Sequence, residues 1–422
     1  MSKLIKFIDL FAGIGGMRIG MESALNDLNI NHKCVFSSEI NKNASYTYKL
    51  NFKEYPKGDI YNFSKDIPKF DFLLGGFPCQ PFSYAGKKKG FGDTRGTLFF
   101  EIEKIISKHK PKGFILENVR GIISHDKGRT VNTIIKKLSK LGYKVEYKIC
   151  NSANYNLPQN RVRVFFIGIL GKKIKSNIIS DFGPSDTYDL GDNNKQLNLF
   201  GNNKKFKPLK SILENKPSKK YDCSKDFIKK LDNHLSNRSL LHGIRLIDYR
   251  GGNSIHSWEL GIKGKCTKEE IDFMNQLISN RRKKIYGEDK DGKMLTKKQI
   301  KTFYKKNNLD KILNSLLKKG YIKKEDNKYN PNCGNMSFEV FKFLDPDKIS
   351  TTLTASDTNR LGVFYKNRIR RITPREAAKI QGFPNNFILN PNDNIAYSQL
   401  GNAVSVPVVR YIVGDIFKNN NL

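Results

Sequence analysis

Residues 7–16 read FIDLFAGIGG. An apolar strand runs into a turn containing Gly13, Gly15 and Gly16, and residues 16–28 continue with helical spacing. Strand, glycine turn and helix in that order open a βαβ unit. The pattern repeats along the chain. Further strands are expected at 34–38, 70–74, 113–117, 143–150 and 162–169, beside the first at 6–10. Helices are expected at 97–109, 130–141 and 406–417. This alternation predicts an α/β fold: an open, mostly parallel sheet with helices on both faces. The last two strands are joined by a Pro-containing loop too short for a helical crossover, so that end of the sheet should be antiparallel.

The glycine turn departs from GxGxxG, because Arg18 stands where the third glycine would be. A pyrophosphate cradle is therefore disfavoured relative to a phosphate-free nucleoside. Glu39 follows the second strand, where a carboxylate can accept both ribose hydroxyls. Asp59, in GDI, can accept from an adenine amino group. Together these residues favour an adenosine cofactor over a purely structural turn.

Three other stretches carry chemistry. GGFPCQPFS (75–83) follows the strand at 70–74, so Cys79 is expected at a strand's carboxyl end, where such sheets bind ligands. A lone cysteine is usually a small buried hydrophobe. One set between Pro78 and Pro81 on a glycine loop is a better candidate nucleophile, provided its proton is removed. ENV (117–119) ends the strand at 113–117. Glu117 follows the apolar FIL, and poor solvation would keep a proton on it near neutral pH; a turn-capping role is the alternative. PQNRVRVFFIG (158–168) alternates Arg161 and Arg163 on one face. Two fixed guanidinium groups suit a carbonyl oxygen or a phosphate, or else decorate an edge strand.

In this order these motifs resemble the cytosine-5 DNA methyltransferase family, in its bacterial restriction–modification form. The resemblance continues in GTLFFEI (96–102), TPREAAKIQGFPNNF (373–387) and SQLGNAVSVPV (398–408), and covers about residues 4–170 and 350–418. It implies a Rossmann-like S-adenosylmethionine-dependent core plus a smaller target recognition domain. It implies Cys79 as the nucleophile on cytosine carbon 6, Glu117 holding ring nitrogen 3, Arg163 on the ring carbonyl and Arg161 supporting that loop. Cofactor contacts are implied at Phe11, Gly13, Gly16, Glu39, Ile40, Asp59, Ile60, Pro78, Leu98 and Asn402, and DNA contacts at Gln80, Ser83, Thr352 and Leu353. Ile40 replaces an aromatic found in several members, and Ala403 a serine found in some.

The composition agrees with a polyanionic partner. Lys plus Arg number 76 against 40 Asp plus Glu, a net charge of +36. The six cysteines form no CxxC pair, so no metal is expected. The start of the chain lacks a signal-peptide layout, and no apolar run reaches membrane-spanning length. The expectation is a monomeric, cytoplasmic protein on double-stranded DNA, nucleoid-associated through it, with no membrane partner. A cognate restriction endonuclease acting on the same site is compatible with a chain of this size.

The domains are expected at 1–184 with 398–422, for catalysis and cofactor, and at 185–397 for recognition, with DNA in a basic cleft between them. Asn, Lys and Gly dominate from about 182 to 220, as in a linker. Within the second domain, residues 267–329 are Lys-rich, and LDKILNSLLKKGYIKKEDNKY (309–329) suggests a helix and a basic turn or hairpin. That is either a nucleic-acid-binding unit or a solvated helix pair, and composition alone leans to the second. Two rival functions remain at this level: an RNA (tRNA) cytosine-5 methyltransferase, and a non-catalytic DNA-binding relative.

Overall fold

β1 (Ile5–Leu10) is buried at every position except Lys6, because both of its faces are covered. The computed structural model describes residues 4–77, 98–181, 206–249, 251–289, 293–332, 338–420 and 422. Pro78, Cys79, Gln80 and Ser83 lie outside the described residues. From the glycine turn, α1 (Gly16–Asp27) leads to β2 (His32–Ser38), α2 (Lys42–Phe52), α3 (Ile60–Phe63) and β3 (Phe72–Gly76). Then come α4 (Leu98–His109), β4 (Gly113–Val119), α5 (Arg129–Lys140), β5 (Tyr143–Asn151) and β6 (Val162–Leu170). The sheet order is β2-β1-β3-β4-β6-β5. β1, β2, β3 and β4 pair in parallel, and β6 runs antiparallel to both β4 and β5. The mostly parallel sheet with an antiparallel end is the one the sequence predicts.

The chain divides into two compact units. The larger comprises Met1–Ile212, Lys348–Thr358 and Pro374–Leu422; the smaller comprises Leu213–Asp347 and Asn359–Thr373. The sequence puts the boundary at 184/185 and the return at 398. Residues 206–212, 348–358 and 374–397 instead pack with the larger unit. Backbone pairing explains the shift: Asn160 N–H donates to Ser350 O, Ser350 N–H to Pro158 O, and Leu209 N–H to Lys348 O.

The smaller unit contains α6 (Lys225–His234), β7 (Arg245–Leu246), β8 (Ser254–Ile255), α7 (Lys268–Asn280), β9 (Leu295–Thr296) and α8 (Lys297–Ile300). It continues with α9 (Leu309–Lys318), β10 (Ile322–Glu325), β11 (Lys328–Pro331), β12 (Lys342–Leu344), β13 (Leu361–Tyr365) and β14 (Arg368–Arg371). Its two sheets have orders β14-β13-β12-β7-β8 and β10-β11-β9.

The chain then rejoins the larger unit as α10 (Pro374–Ile380), α11 (Asp393–Asn402) and α12 (Val406–Asn420). By length and composition Asp393–Asn420 is apolar enough to cross a membrane, but most of that apolar surface is buried inside the protein. Val409, Ile412, Val413 and Ile416 of α12 join Phe7, Met17, Met21 and Phe72 in one core layer. α4 and α5 cover the opposite face with Ile102, Ile106, Ile134 and Leu138. Each such side chain contributes about 1.5–3 kcal/mol on burial.

α1 and α12 meet at a bare backbone position. A Cβ on Gly20 would lie 2.6 Å from Val409 Cβ and 3.1 Å from Arg410 N. Backbone cannot yield as a side chain can. Gly20→Ala should therefore destabilise the larger unit by roughly 1–3 kcal/mol despite the higher helix propensity of alanine. Chemical denaturation checks this, and an unchanged midpoint would mean that the two helices are free to separate.

Candidate active site

The carboxyl end of β1 is a turn through three left-handed residues: Phe11, Gly13 and Gly15, with φ of 57°, 55° and 87°. Gly15 also permits a close approach, since a Cβ there would lie 2.2 Å from the Phe52 ring. That ring packs on Tyr48 and lies 4.2 Å beneath the Arg18 guanidinium. The residue that breaks the third-glycine pattern therefore fastens α1 to α2. Glu39 closes the turn from β2, its carboxylate accepting from Gly13 N–H at 2.8 Å and Asn41 N–H at 2.7 Å. Next to it Ile40 is 72% exposed, an apolar side chain left in water. Asp59 caps α3 by accepting from Tyr61 N–H. Ile60, expected as a cofactor contact, has its side chain buried in the same core layer as α4. Gly16 packs against Val404. Leu98 begins α4 half-buried, and Asn402 ends α11 exposed.

At the ends of β3 and β4 a second group converges. Val119 of β4 lies opposite Arg163 of β6, which puts Glu117 and Arg163 on one face as diagonal neighbours. Arg163 Nε stands 3.1 Å from Glu117 Oε1, with side chains only 16% and 15% exposed. Burial pulls the Arg163 pKa down, opposed by the Glu117 charge. Gly76, ending β3, lies directly beside Glu117 in the parallel pairing of β3 and β4. The buried Asn118 amide donates to Phe77 O at 2.9 Å. It thereby pins the last described residue before the segment that contains Cys79.

Arg161 points elsewhere. It is buried and donates to Leu353 O at 2.9 Å, Gly401 O at 3.3 Å and Ala403 O at 2.8 Å. Burial, with Arg163 adding to it, lowers its pKa. Gln159 and Gln381 extend the junction. Leu353 N–H donates to Gln159 Oε1, Gln159 Nε2 donates to Gln381 Oε1, and Gln381 Nε2 donates to Leu400 O. Thr352 Oγ1 donates to Asn160 O. The Thr352–Leu353 pair and the segment bearing Asn402 are thus fixed to one loop, 158–161.

A family model described as C-5 cytosine-specific DNA methylase matches residues 5–418. The chain belongs to that family. It is 60% identical over 417 residues to the Type II methyltransferase M.BanI of Aneurinibacillus aneurinilyticus, covering 99% of this chain and 96% of that one. It is 56% identical over 419 residues to the Type II methyltransferase M.HgiCI of Herpetosiphon aurantiacus, covering 99% of each. Among solved structures it resembles a Dnmt2 methyltransferase of S. pombe, with TM-score 0.53 and 19% identity, covering 99% of this chain and 100% of that one. It also resembles the Entamoeba histolytica methyltransferase EhMeth, with TM-score 0.50 and 18% identity, covering 99% of each. The structural likenesses concern the fold. The RNA-methylating and non-catalytic alternatives give way: the protein is a sequence-specific DNA cytosine-5 methyltransferase, of a family whose methyl donor is S-adenosylmethionine.

In this methylase one buried group escapes the sequence reading. Asp9, inside FIDL, is 0% exposed, and both carboxyl oxygens lack a hydrogen-bond partner among the described residues. Its signal is a charged residue within an apolar strand. Burial pushes its carboxyl up to about 7, against the pull of Arg18. The unfolded carboxyl ionises near 3.8. Between those values the unfolded chain gives up its proton first, so Asp9 lowers stability as pH rises through that window. Asp9→Asn should stabilise the cofactor-free methylase at pH 8, by on the order of a few kcal/mol, with the gain shrinking toward pH 4. Denaturation across that range tests it, and destabilisation by the amide at pH 8 would show that Arg18 holds an ionised Asp9 in place.

Proposed function

We propose that this methylase attacks cytosine carbon 6 with Cys79, while Glu117 and Arg163 hold the ring. The observation that carries this reading is the Glu117–Arg163 pair at 3.1 Å, beside Gly76 at the end of the strand that leads to Cys79. Thiolate addition forms an S–C6 bond and moves electron density to carbon 5. Glu117 supplies a proton at nitrogen 3, and the Arg163 guanidinium stabilises charge on the carbonyl oxygen. Carbon 5 would then take the methyl group that bound S-adenosylmethionine supplies. Loss of the carbon 5 proton to a base breaks the S–C6 bond, restores the ring double bond and releases Cys79, while the nitrogen 3 proton returns to Glu117. These ring atoms are inaccessible in a duplex, so the base is flipped out, at about a few kcal/mol of unstacking. Arg161 is a positioning residue, since both of its terminal amino groups are committed to backbone carbonyls.

The thiol chemistry favours Cys79. Burial pushes Cys34, Cys150 and Cys223 up to about 12 and Cys266 up to about 11, which starves them of thiolate. Cys333, like Cys79, lies outside the described residues and belongs to no matching motif.

The turn at β1 and β2 fits an adenosyl group. Exposed Ile40 and half-buried Phe11 offer apolar faces to a purine, and the Glu39 carboxylate is placed by Gly13 to accept from ribose hydroxyls. Asp59 accepts from the adenine amino group, and Gly16, Pro78, Leu98 and Asn402 complete the contacts. S-Adenosylmethionine, when bound, supplies an electrophilic methyl group. Gln80, Ser83 and Thr352 are the DNA contacts of this reading, and the smaller unit reads the target. Leu353, expected as a fourth, is instead buried with its backbone committed to Gln159 and Arg161, and so supports Thr352 from behind. The methylase works as a cytoplasmic monomer beside an endonuclease of the same specificity, the setting that the Type II names of its relatives suggest.

DNA carrying 5-fluorocytosine at the target tests the mechanism, because fluorine cannot leave carbon 5 as a cation. An adduct should form that survives denaturing electrophoresis and requires S-adenosylmethionine. Cys79→Ala should abolish it, and Glu117→Gln should slow it while leaving DNA binding largely intact. A cross-link mapped to any other cysteine would overturn the assignment.

A further inference from the structure

Residues 267–332 have their own hydrophobic centre. Phe273, Met274 and Leu277 of α7, Ile300 of α8, and Ile312, Leu313 and Leu316 of α9 pack with Leu295, Ile322 and Tyr329 from the strands. The order is helix, strand, helix, helix, strand, strand, and the sheet order is β10-β11-β9. β9 and β10 both pair antiparallel with β11. This is the connectivity of a winged helix: α8 and α9 form a helix-turn-helix, and β10–β11 form the wing. The local sequence enforces it. Thr267 with Glu270 and Thr296 with Gln299 make capping boxes that start α7 and α8. Asp326 and Asn327, with φ of 43° and 57°, make the tight turn between the wing strands.

Lysine dominates the charge of this unit, although its acids share the same elements: Asp310 of α9 pairs with Lys297, and Glu325 of the wing pairs with Lys323. Residues 293–332 contain twelve lysines and three acidic residues. The acids of α7 are spent inside the unit: Glu270 pairs with Lys319, Asp272 with Lys306, and Glu269 accepts from Asn308. On the outer face of α9, Lys311, Asn314 and Lys318 are exposed at helical spacing. Lys323, Lys324 and Lys328 are exposed on the wing. Lys311, Lys318, Lys324 and Lys328 have no carboxylate partner among the described residues. A surface built only for solubility has no need of a helix-turn-helix beneath it, nor of an amide set between two lysines on its second helix.

We propose that this winged-helix unit is the duplex-reading element of the methylase, with α9 entering the major groove and the β10–β11 wing lying on the neighbouring phosphates. The proposal rests on the reading of the smaller unit as the target reader, and it assigns the residues. Asn314 is the base-edge contact, because an amide can bond an adenine edge in two places. Lys311 and Lys318 flank it, and Lys323, Lys324 and Lys328 supply the sequence-independent attraction. A ten-residue helix is about 15 Å long, enough to follow several base pairs in a groove about 12 Å wide.

The test is binding of the full chain to labelled duplexes, by fluorescence anisotropy without cofactor. The probes are the target found by bisulfite sequencing of DNA from expressing cells, its one-base variants, and an RNA duplex of the same sequence. Replacing Lys323, Lys324 and Lys328 by Ala should weaken every DNA probe and flatten the log–log salt slope by about 0.9 for each phosphate no longer neutralised. Asn314→Ala should keep S-adenosylmethionine binding but forfeit roughly tenfold of discrimination at one position of the target. Both substitutions are on exposed positions and leave the core of α9 intact. If both variants keep the wild-type target, discrimination and salt slope, the basic face is only solvated surface and the proposal is overturned. Equal or tighter binding of the RNA duplex would overturn it too, since side chains cannot read the narrow A-form major groove. Failure of the 5-fluorocytosine adduct in the wild type would count against the catalytic reading alone, because anisotropy does not depend on the chemistry.

Discussion

The guanidinium of Arg161 donates to the carbonyls of Leu353, Gly401 and Ala403 from a buried position. A buried cation without a carboxylate is costly unless its donors are satisfied. Here two segments far from it in sequence supply the three acceptors, Leu353 from one and Gly401 and Ala403 from the other, and each carbonyl would be left unsatisfied if the arginine were removed. The loop at 158–161, the strand-like segment at 350–354 and the end of α11 therefore hold together as one piece. The side-chain amides of Gln159 and Gln381 add hydrogen bonds to the same knot. Gly401 allows the approach, since a Cβ there would lie 2.2 Å from the Thr354 backbone.

Around this knot the larger unit separates its tasks by strand. β1 and β2 end in the turn at Phe11–Gly15 and in Glu39, a pocket edge suited to a nucleoside. β3 and β4 end in Gly76, Glu117 and Asn118, suited to a polar ring. β6 runs against β4, and only that reversal lets Arg163 reach Glu117 from an adjacent strand. In a fully parallel sheet the arginine's strand would begin at the opposite edge.

Much of this is legible in the sequence, for identifiable reasons. β1, β3, β4 and β6 are short apolar runs bounded by turns, as strands covered on both faces demand, while the edge strand β5, YKVEYKICN, shows itself by alternation instead. α2 is hard to read because KNASYTYKLNF buries only Ala44, Thr47 and Tyr48 and shows little apolar periodicity. The part of Arg161 is readable only through resemblance, because its partners are backbone carbonyls, which leave no mark on side-chain identity. The burial of the Ile60 side chain is not readable from its motif, because a motif match does not say which way a side chain points. The boundary near 350 escapes because TTLTAS lacks a regular element of its own and joins the larger unit through backbone bonds. The Lys-rich segment stays undecided because charge does not report strand order, and the order β10-β11-β9 gives it meaning.

The α12 layer has a consequence for synthesis. Phe7, Met17 and Phe72 share their core with Val409, Ile412 and Val413, which the ribosome makes more than 230 residues after β6. At about 5–20 residues per second, one face of the nascent sheet waits on the order of tens of seconds for its cover. The smaller unit, with its own centres, emerges during that interval. One of the two apolar faces of the sheet is thus left exposed long after the other has been covered, and codon choice or chaperone access over that stretch bears directly on yield.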